Sequence, residues 1–281
     1  MPSEEYYLKM LEEYEAREEQ EKEEEEKAKE KEESGEESSR GKKKIRPYTL
    51  LFQDEHLLVL NKAPGIATIP ERGKDESLKT LSQKEFGRNW TVHRIDKDTS
   101  GVVLFAMNAK AHQDLSEQFR TRETAKRYLA IVEGEMPDDE MVVDIPLATD
   151  PGKAGRIRPS ANGKEALTRL KAEERFRGYT LVEAVPETGR QHQIRVHCSA
   201  VGLPLLVDPL YGNQTEFMLS AIKRKFRDYG RPERPLIDRL TLHAESLTVR
   251  HPATGERVTF SAEIPKDLRA VLTQLRKLRG L

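Results

Sequence analysis

After Tyr48 the apolar positions alternate between two rhythms, one with a period of two and one of three to four. In "KRYLAIVEG" (126–134), Tyr128, Ala130 and Val132 alternate with Leu129 and Ile131, which predicts a strand. "TLLFQDEHLLVLNK" reads as two strands around an Asp54-Glu55 turn, and "GVVLFAMN" as a strand buried on both sides. "KEALTRLKAEERF" and "YTLVEAVPE" flank Arg177-Gly178 as an antiparallel pair. "RLTLHAESLTVRHPATGERVTFSAEI" predicts a hairpin with a Pro-Ala-Thr-Gly turn. Helical spacing appears in three places. Asn108 is placed to cap "AKAHQDLSEQF", with Ala111, Leu115 and Phe119 on one face. "QHQIRVHCSAVG" puts Ile194, Cys198 and Val201 on one side, with Gly202 at its end. "PKDLRAVLTQLRKL" spaces Leu268, Leu272, Leu275 and Leu278 helically behind Pro265. Mixed order with several hairpins predicts an α+β fold rather than a doubly wound parallel sheet.

Before Tyr48 the pattern is different. Tyr7, Met10, Leu11 and Tyr14 make one short stripe, and beyond Glu15 little remains to bury. "SGEESSRGKKK" reads as a linker, so residues 1–46 are expected to be an acidic low-complexity tail and 47–281 the folded domain. This division changes the meaning of the net charge of −1. The first forty residues hold 17 Asp/Glu and 7 Lys/Arg, which leaves 32 and 41 for the rest. A basic body therefore sits behind an acidic tail, and a basic body favours a polyanion such as nucleic acid. A lone cysteine, Cys198, rules out an intrachain disulfide framework, and no Cys pair is spaced for zinc. No apolar run approaches membrane-spanning length and the N-terminus has no apolar signal core, so no membrane partner is expected and the cytoplasm is the expected location.

Ionisable groups concentrate beside element ends at 93–100, 126–128 and 189–197. "HRIDKDTSG" sets His93, Arg94, Asp96, Asp98 and Thr99 directly before the buried run Val102–Ala106. In "ETGRQHQIRVH", His192, Arg195 and Ser199 fall opposite Ile194 and Cys198, with Arg195 near the positive end of the helix dipole. A carboxylate packed there would gain from both charges, so an Asp96–Arg195 pair is chemically attractive. Plainer readings compete: aspartates in a loop are commonly surface turns, Tyr128 on a strand is commonly core, and His93 suits a structural hydrogen bond. His192 and His197, five apart, project from different sides of a helix and make a poor zinc pair. From residues alone the chain is a basic α+β domain, either an RNA binder or a carboxylate enzyme.

Read whole, these stretches resemble a known family. "HRIDKDTSGVVLFA" resembles the catalytic motif HRLD-x-x-TSG of the RluA-type RNA pseudouridine synthases. "KRYLAIVEG" resembles that family's K-x-Y-x-A-x-V-x-G, and "LVEAVPETGRQHQIRVH" its TGR-x-HQIR-x-H. "YG" at 211–212 and "RLTLHAESLTVRHPATGE" follow in order, so the resemblance spans about Tyr48 to Leu268. It departs at Ile95, Gln191, Val207 and "PGIATIPERG", none of which removes an ionisable catalytic group. The resemblance implies a mixed, largely antiparallel sheet with flanking helices around a central RNA-binding cleft. It implies site-specific isomerisation of uridine to pseudouridine in ribosomal or transfer RNA, with base flipping and with no cofactor and no metal. Asp96 would be the essential carboxylate, Arg195 its paired cation, and Tyr128 the side chain against the flipped base. Arg94 would fill the gap left in the RNA. His93, Thr99, Arg190 and His192 would contact RNA beside it.

The basic run Lys223, Arg224, Lys225, Arg227, Arg231 and Arg234 is a further RNA-contact candidate, set against a plain solvated surface. A monomer is expected. Two other functions compete: a glycosidase pairing Asp96 with a second carboxylate, and a catalytically silent RNA binder.

Overall fold

The computed structural model describes residues 47–281 except 72, 74, 228, 229 and 231. The expected acidic tail lies outside the described residues. Pro47–Leu281 make up one unit by their internal contacts.

A long mixed sheet organises this unit. Its main strands are β1 (Tyr48–Gln53), β2 (Leu57–Lys62), β4 (Ser100–Ala106), β5 (Ala125–Glu133), β6 (Glu140–Asp144), β9 (Leu167–Phe176), β10 (Tyr179–Pro186) and β11 (Leu242–Arg250). They run in the spatial order β1-β2-β4-β11-β5-β10-β9-β6, with β3 (Trp90–Thr91) on β4 and β12 (Arg257–Ser261) on β11. β7 (Leu147–Thr149) and β8 (Ile157–Pro159) form a separate small hairpin. Every pairing is antiparallel except β4 with β11, which touch in parallel over Ser100↔His243 and Gly101↔Ala244.

Alternation along β4 explains why it is buried throughout. Val102, Leu104 and Ala106 enter one core with Ala111 and Leu115 of helix α2 (Ala109–Arg120). Val103 and Phe105 enter another with Leu78 of helix α1 (Leu78–Phe86). Strand β5 divides likewise. Leu129 and Ile131 pack on Leu268, Val271, Leu272 and Leu275 of α4 (Lys266–Arg279), while Ala130 and Val132 meet Ile194 and Cys198 of α3 (Gln193–Ala200). Helices thus cover both faces of the central strands, and each fully buried Leu or Phe contributes about 1.5–3 kcal/mol.

The predicted strands and helices are present, including the Asn108 cap, whose side chain accepts from the Ala111 amide. Helix α1 was not predicted. Its start is set by Ser77 and Thr80, which bond each other's backbone amides in a capping box, not by an apolar stripe. β6, β7 and β8 also escape a reading by alternation, because they are short and bordered by Pro and Gly.

Candidate active site

Asp96 lies in the loop between β3 and β4, and its neighbours on both sides are pinned by one segment. On one side Thr68 Oγ1 donates to the Ile95 carbonyl (2.9 Å) and accepts from the Ile95 amide (3.2 Å). On the other the Lys97 carbonyl accepts from the Gly65 amide (3.0 Å) and from Lys62 Nζ (2.7 Å). Lys62 is fully buried at the end of β2, and its ammonium also donates to the carbonyls of Ala63 and Ile66. Burial lowers its pKa to about 7, against the opposing pull of Asp98 and Asp96. The stretch 62–68 is therefore a cradle for the Asp96 loop. The Asp96 carbonyl in turn accepts from the Thr99 amide (3.1 Å), closing a turn.

Thr99, Ser100 and Gly101 then seat the loop on the sheet. Gly101 has φ +119°, and a Cβ there would lie 2.0 Å from the Ala244 carbonyl oxygen. Only glycine permits that approach of β4 to β11. Ser100 Oγ bonds His243 Nδ1 (2.9 Å) and accepts from Arg239 (3.2 Å). Thr99 is buried, and its hydroxyl has no hydrogen-bond partner among the described residues.

Register brings the second catalytic candidate alongside. Gly101 pairs with Ala244, Ala244 with Tyr128, and Tyr128 with Ala184, so the tyrosine stands in a cross-sheet row of small residues. Burial, with the Asp96 charge nearby, pushes the Tyr128 phenol well above its ordinary range and keeps it protonated.

Arg195 comes from the first turn of α3. Its Nη1 is 3.6 Å from Asp96 Oδ2, so the structure does bring the expected pair together. Its stronger partner was not foreseen. Nε and Nη2 grip Asp208 in a bidentate pair at 2.8 and 2.7 Å, and the Tyr211 ring packs 5.0 Å from the guanidinium. Burial opposes the charge on Arg195, but Asp208, and after it Asp96, raise its pKa above the ordinary value. Removing one partner from such a buried pair costs about 3–5 kcal/mol.

These groups face a cleft of about 660 Å³, lined by Arg94, Asp96, Thr99, Tyr128, His192 and Arg195 among others. Arg94 is exposed at its rim. His93 lines the cleft too, but its ring is tied into the scaffold. Nε2 accepts from the Leu104 amide (2.9 Å) and the ring stacks on Phe119 (4.8 Å). Burial, then Lys126, lowers its pKa to about 3, so it presents a neutral ring. His192 is not on the helix face with Arg195 as expected. It is the residue before α3, in a left-handed conformation (φ +53°), and its Nδ1 bonds the Tyr211 hydroxyl (2.8 Å). Arg190 lines the cleft while its Nε holds the Glu165 carbonyl (2.9 Å). Ser199 donates to the Tyr211 carbonyl.

Lys223 and Arg224 are exposed and stand outside the cleft lining. The basic groups that do line it are Arg94, Arg120, Arg122, Lys126, Arg190 and Arg195. Among the described residues no group of three or more His, Cys, Asp or Glu is arranged to hold a metal ion. His197 is occupied by Thr168 and the Ile145 carbonyl. Among the same residues no helix is long and apolar enough to cross a membrane.

Sequence reasoning missed Lys62, Thr68 and Asp208. Lys62 carried a signal, a lysine closing an apolar strand before Pro64-Gly65. Asp208 carried a weaker one, a carboxylate directly after the apolar run Leu205–Val207.

A carboxylate, an arginine and a tyrosine thus meet in one cleft over a mixed sheet, and comparison with known proteins identifies the family. The family profile of RNA pseudouridylate synthase matches residues 56–200. "Ribosomal large subunit pseudouridine synthase C" of Haemophilus influenzae is 36% identical over 234 residues, covering 81% of this chain and 69% of the relative. The Escherichia coli K12 protein of the same name is 38% identical, covering 82% and 70%. Among solved structures, "Human RNA Pseudouridylate Synthase Domain Containing 4" aligns with a TM-score of 0.63 at 28% identity, over 81% of this chain and 92% of that one. The chain belongs to the RNA pseudouridylate synthase family. It is an RNA pseudouridine synthase, an isomerase that converts uridine in RNA to pseudouridine.

Proposed function

We propose that the chain isomerises chosen uridines of structured RNA, with ribosomal RNA of the large subunit as the leading substrate and transfer RNA as the alternative. Asp96 is the essential carboxylate, acting in the cytoplasm in a monomeric enzyme that needs no small-molecule cofactor. The observation that carries this reading is the meeting of Asp96 with Arg195 at 3.6 Å in a cleft shared with Tyr128. The names of the ribosomal relatives support the choice of RNA.

The uridine leaves its stack to reach Asp96, at a cost of a few kcal/mol. Arg94, exposed at the rim, fills the gap it leaves. Asp96 either attacks C1′ or stabilises positive charge there as the N1–C1′ bond breaks and its electron pair leaves with the uracil. The uracil turns and C5 bonds C1′; where Asp96 has bonded C1′, that bond breaks and its electron pair returns to the carboxylate. The C5 proton then departs and N1 gains one. Atoms and charge balance without an added reactant. Tyr128, held as a neutral phenol, packs against the base and can donate a hydrogen bond. Ionising it to accept the C5 proton would run against its raised pKa. A glycosidase would need a second carboxylate across the sugar from Asp96. Of the other carboxylates near it, Asp208 is fully buried behind Arg195 and spent on it, and Glu187, which lines the cleft, is paired with Arg169 (2.6 Å).

The test uses large-subunit ribosomal RNA, and separately bulk transfer RNA, carrying tritium at uridine C5. Release by wild type but not by Asp96→Asn supports the reading. Release by both proteins at equal rates would overturn the role of Asp96.

A further inference from the structure

We propose that Asp208 is a positioning residue for the isomerisation: it occupies one edge of the Arg195 guanidinium and leaves Nη1 to face Asp96 as a loose ion pair. The inference rests on Asp96 being the reacting carboxylate, as argued above.

The geometry is asymmetric. Arg195 is shared by two carboxylates, but Asp208 takes two hydrogen bonds at 2.8 and 2.7 Å while Asp96 stands at 3.6 Å. The first is a charge-assisted fork, and the second is longer than a hydrogen bond. Asp208 itself cannot turn. Its Oδ1 also accepts from the amides of Leu210 (2.9 Å) and Tyr211 (3.2 Å), and its side chain is wholly buried. The turn is tight: a Cβ on Gly212 would lie 2.9 Å from the Asp208 carbonyl oxygen.

Tyr211 closes the seat. Its ring covers one side of the guanidinium, and its hydroxyl accepts from the Ile157 amide (2.8 Å) and bonds His192 Nδ1. Arg195 is therefore fixed along an edge and over a face by residues 208–211. What remains free is the nitrogen aimed at Asp96.

Chemistry gives this a purpose. A carboxylate gripped bidentately by arginine has its oxygens oriented toward the guanidinium and away from the sugar. A carboxylate with a cation nearby but not locked keeps an oxygen for C1′. Asp208 supplies the competing grip.

The experiment measures single-turnover tritium release and RNA affinity for the full chain, on whichever of the two RNAs above loses label to wild type. Asp208→Asn keeps the shape and removes the charge. The expected result is a rate lower by about 10–100-fold, the scale of a small misplacement at a reacting centre, with RNA affinity within about 2-fold. In an Arg195→Lys background, where no fork exists to be held, the same change is expected to cost less than about 3-fold further. Asp208→Glu retains the charge but displaces the guanidinium, and serves where the asparagine variant melts early. It too is expected to lose rate and keep affinity. An unchanged rate in both variants, or losses that multiply fully in the Arg195→Lys background, would overturn the proposal. Asp96→Asn run alongside separates the two ideas. Activity surviving in it defeats the catalytic reading itself, while its loss with normal Asp208 variants defeats only this inference.

Discussion

Lys62 Nζ donates to the carbonyl oxygen of Lys97 across 2.7 Å, so a fully buried ammonium on β2 grips the residue next to Asp96. The same ammonium reaches Ala63 and Ile66, and only a three-donor group serves all three carbonyls. Lys62→Met is expected to lower the rate by about 10–100-fold through loss of loop position, with little change in RNA affinity. Single-turnover rates beside binding curves check it.

The depressed pKa of Lys62 also predicts a pH effect. An unfolded lysine holds its proton to about 10.5, and the folded one loses it near 7. Between those values the unfolded state binds more protons, so this group's contribution to stability rises with pH, by at most about 1.4 kcal/mol per unit. Urea unfolding of wild type and Lys62→Met from pH 7 to 10 should show the difference moving in favour of wild type. A difference that does not change with pH would contradict the lowered pKa.

His93 predicts acid sensitivity of defined sign. It protonates near 6.5 when unfolded and near 3 in the fold. Its stabilising neutral form is thus fully favoured above about 6.5 and lost as pH falls toward 3. His93→Gln retains an acceptor for the Leu104 amide and has no proton to gain. Its stability is expected to fall less steeply than that of wild type between pH 6.5 and 4, as chemical denaturation at each pH would show.

Gly101→Ala is expected to destabilise the protein by about 2–4 kcal/mol, because the new Cβ meets the Ala244 carbonyl and the backbone is left-handed. Thermal melting checks it, and a variant melting with wild type would refute the close approach.

Arg94→Ala is expected to weaken binding to structured RNA by roughly 5–50-fold, and to matter less on an unpaired oligonucleotide, where no stacking gap has to be filled. Equal losses on both substrates would make Arg94 a simple phosphate contact.

Much of this molecule was legible in its sequence, for physical reasons that can be named. β4 and the core of β5 read as unbroken apolar runs because helices cover both of their faces, so strand character shows in the residues. The Asp96–Arg195 pair was attractive from the helix end on which Arg195 sits, while their meeting at 3.6 Å is a finding of the fold. Asp208 did not follow, because a long-range partner leaves no periodic trace: it is thirteen residues from Arg195 and joins it only through the turn at 208–211. The cradle at 62–68 was hidden similarly, since Lys62, Gly65 and Thr68 meet main-chain carbonyls and an amide at 95–97 that any residue would carry. The expectation that 223–224 contact RNA weighed charge without position, and the cleft drew its arginines and lysine from other segments.

The string from His93 to Gly101 therefore has two kinds of letter. Asp96 and Arg94 face the cleft, whereas Ser100 and Gly101 exist for the hydroxyl–imidazole bond and the bare backbone that let β4 meet β11. On the role proposed for Asp96, loss of catalysis would release that position from constraint, while the close approach of β4 to β11 would still demand glycine at 101.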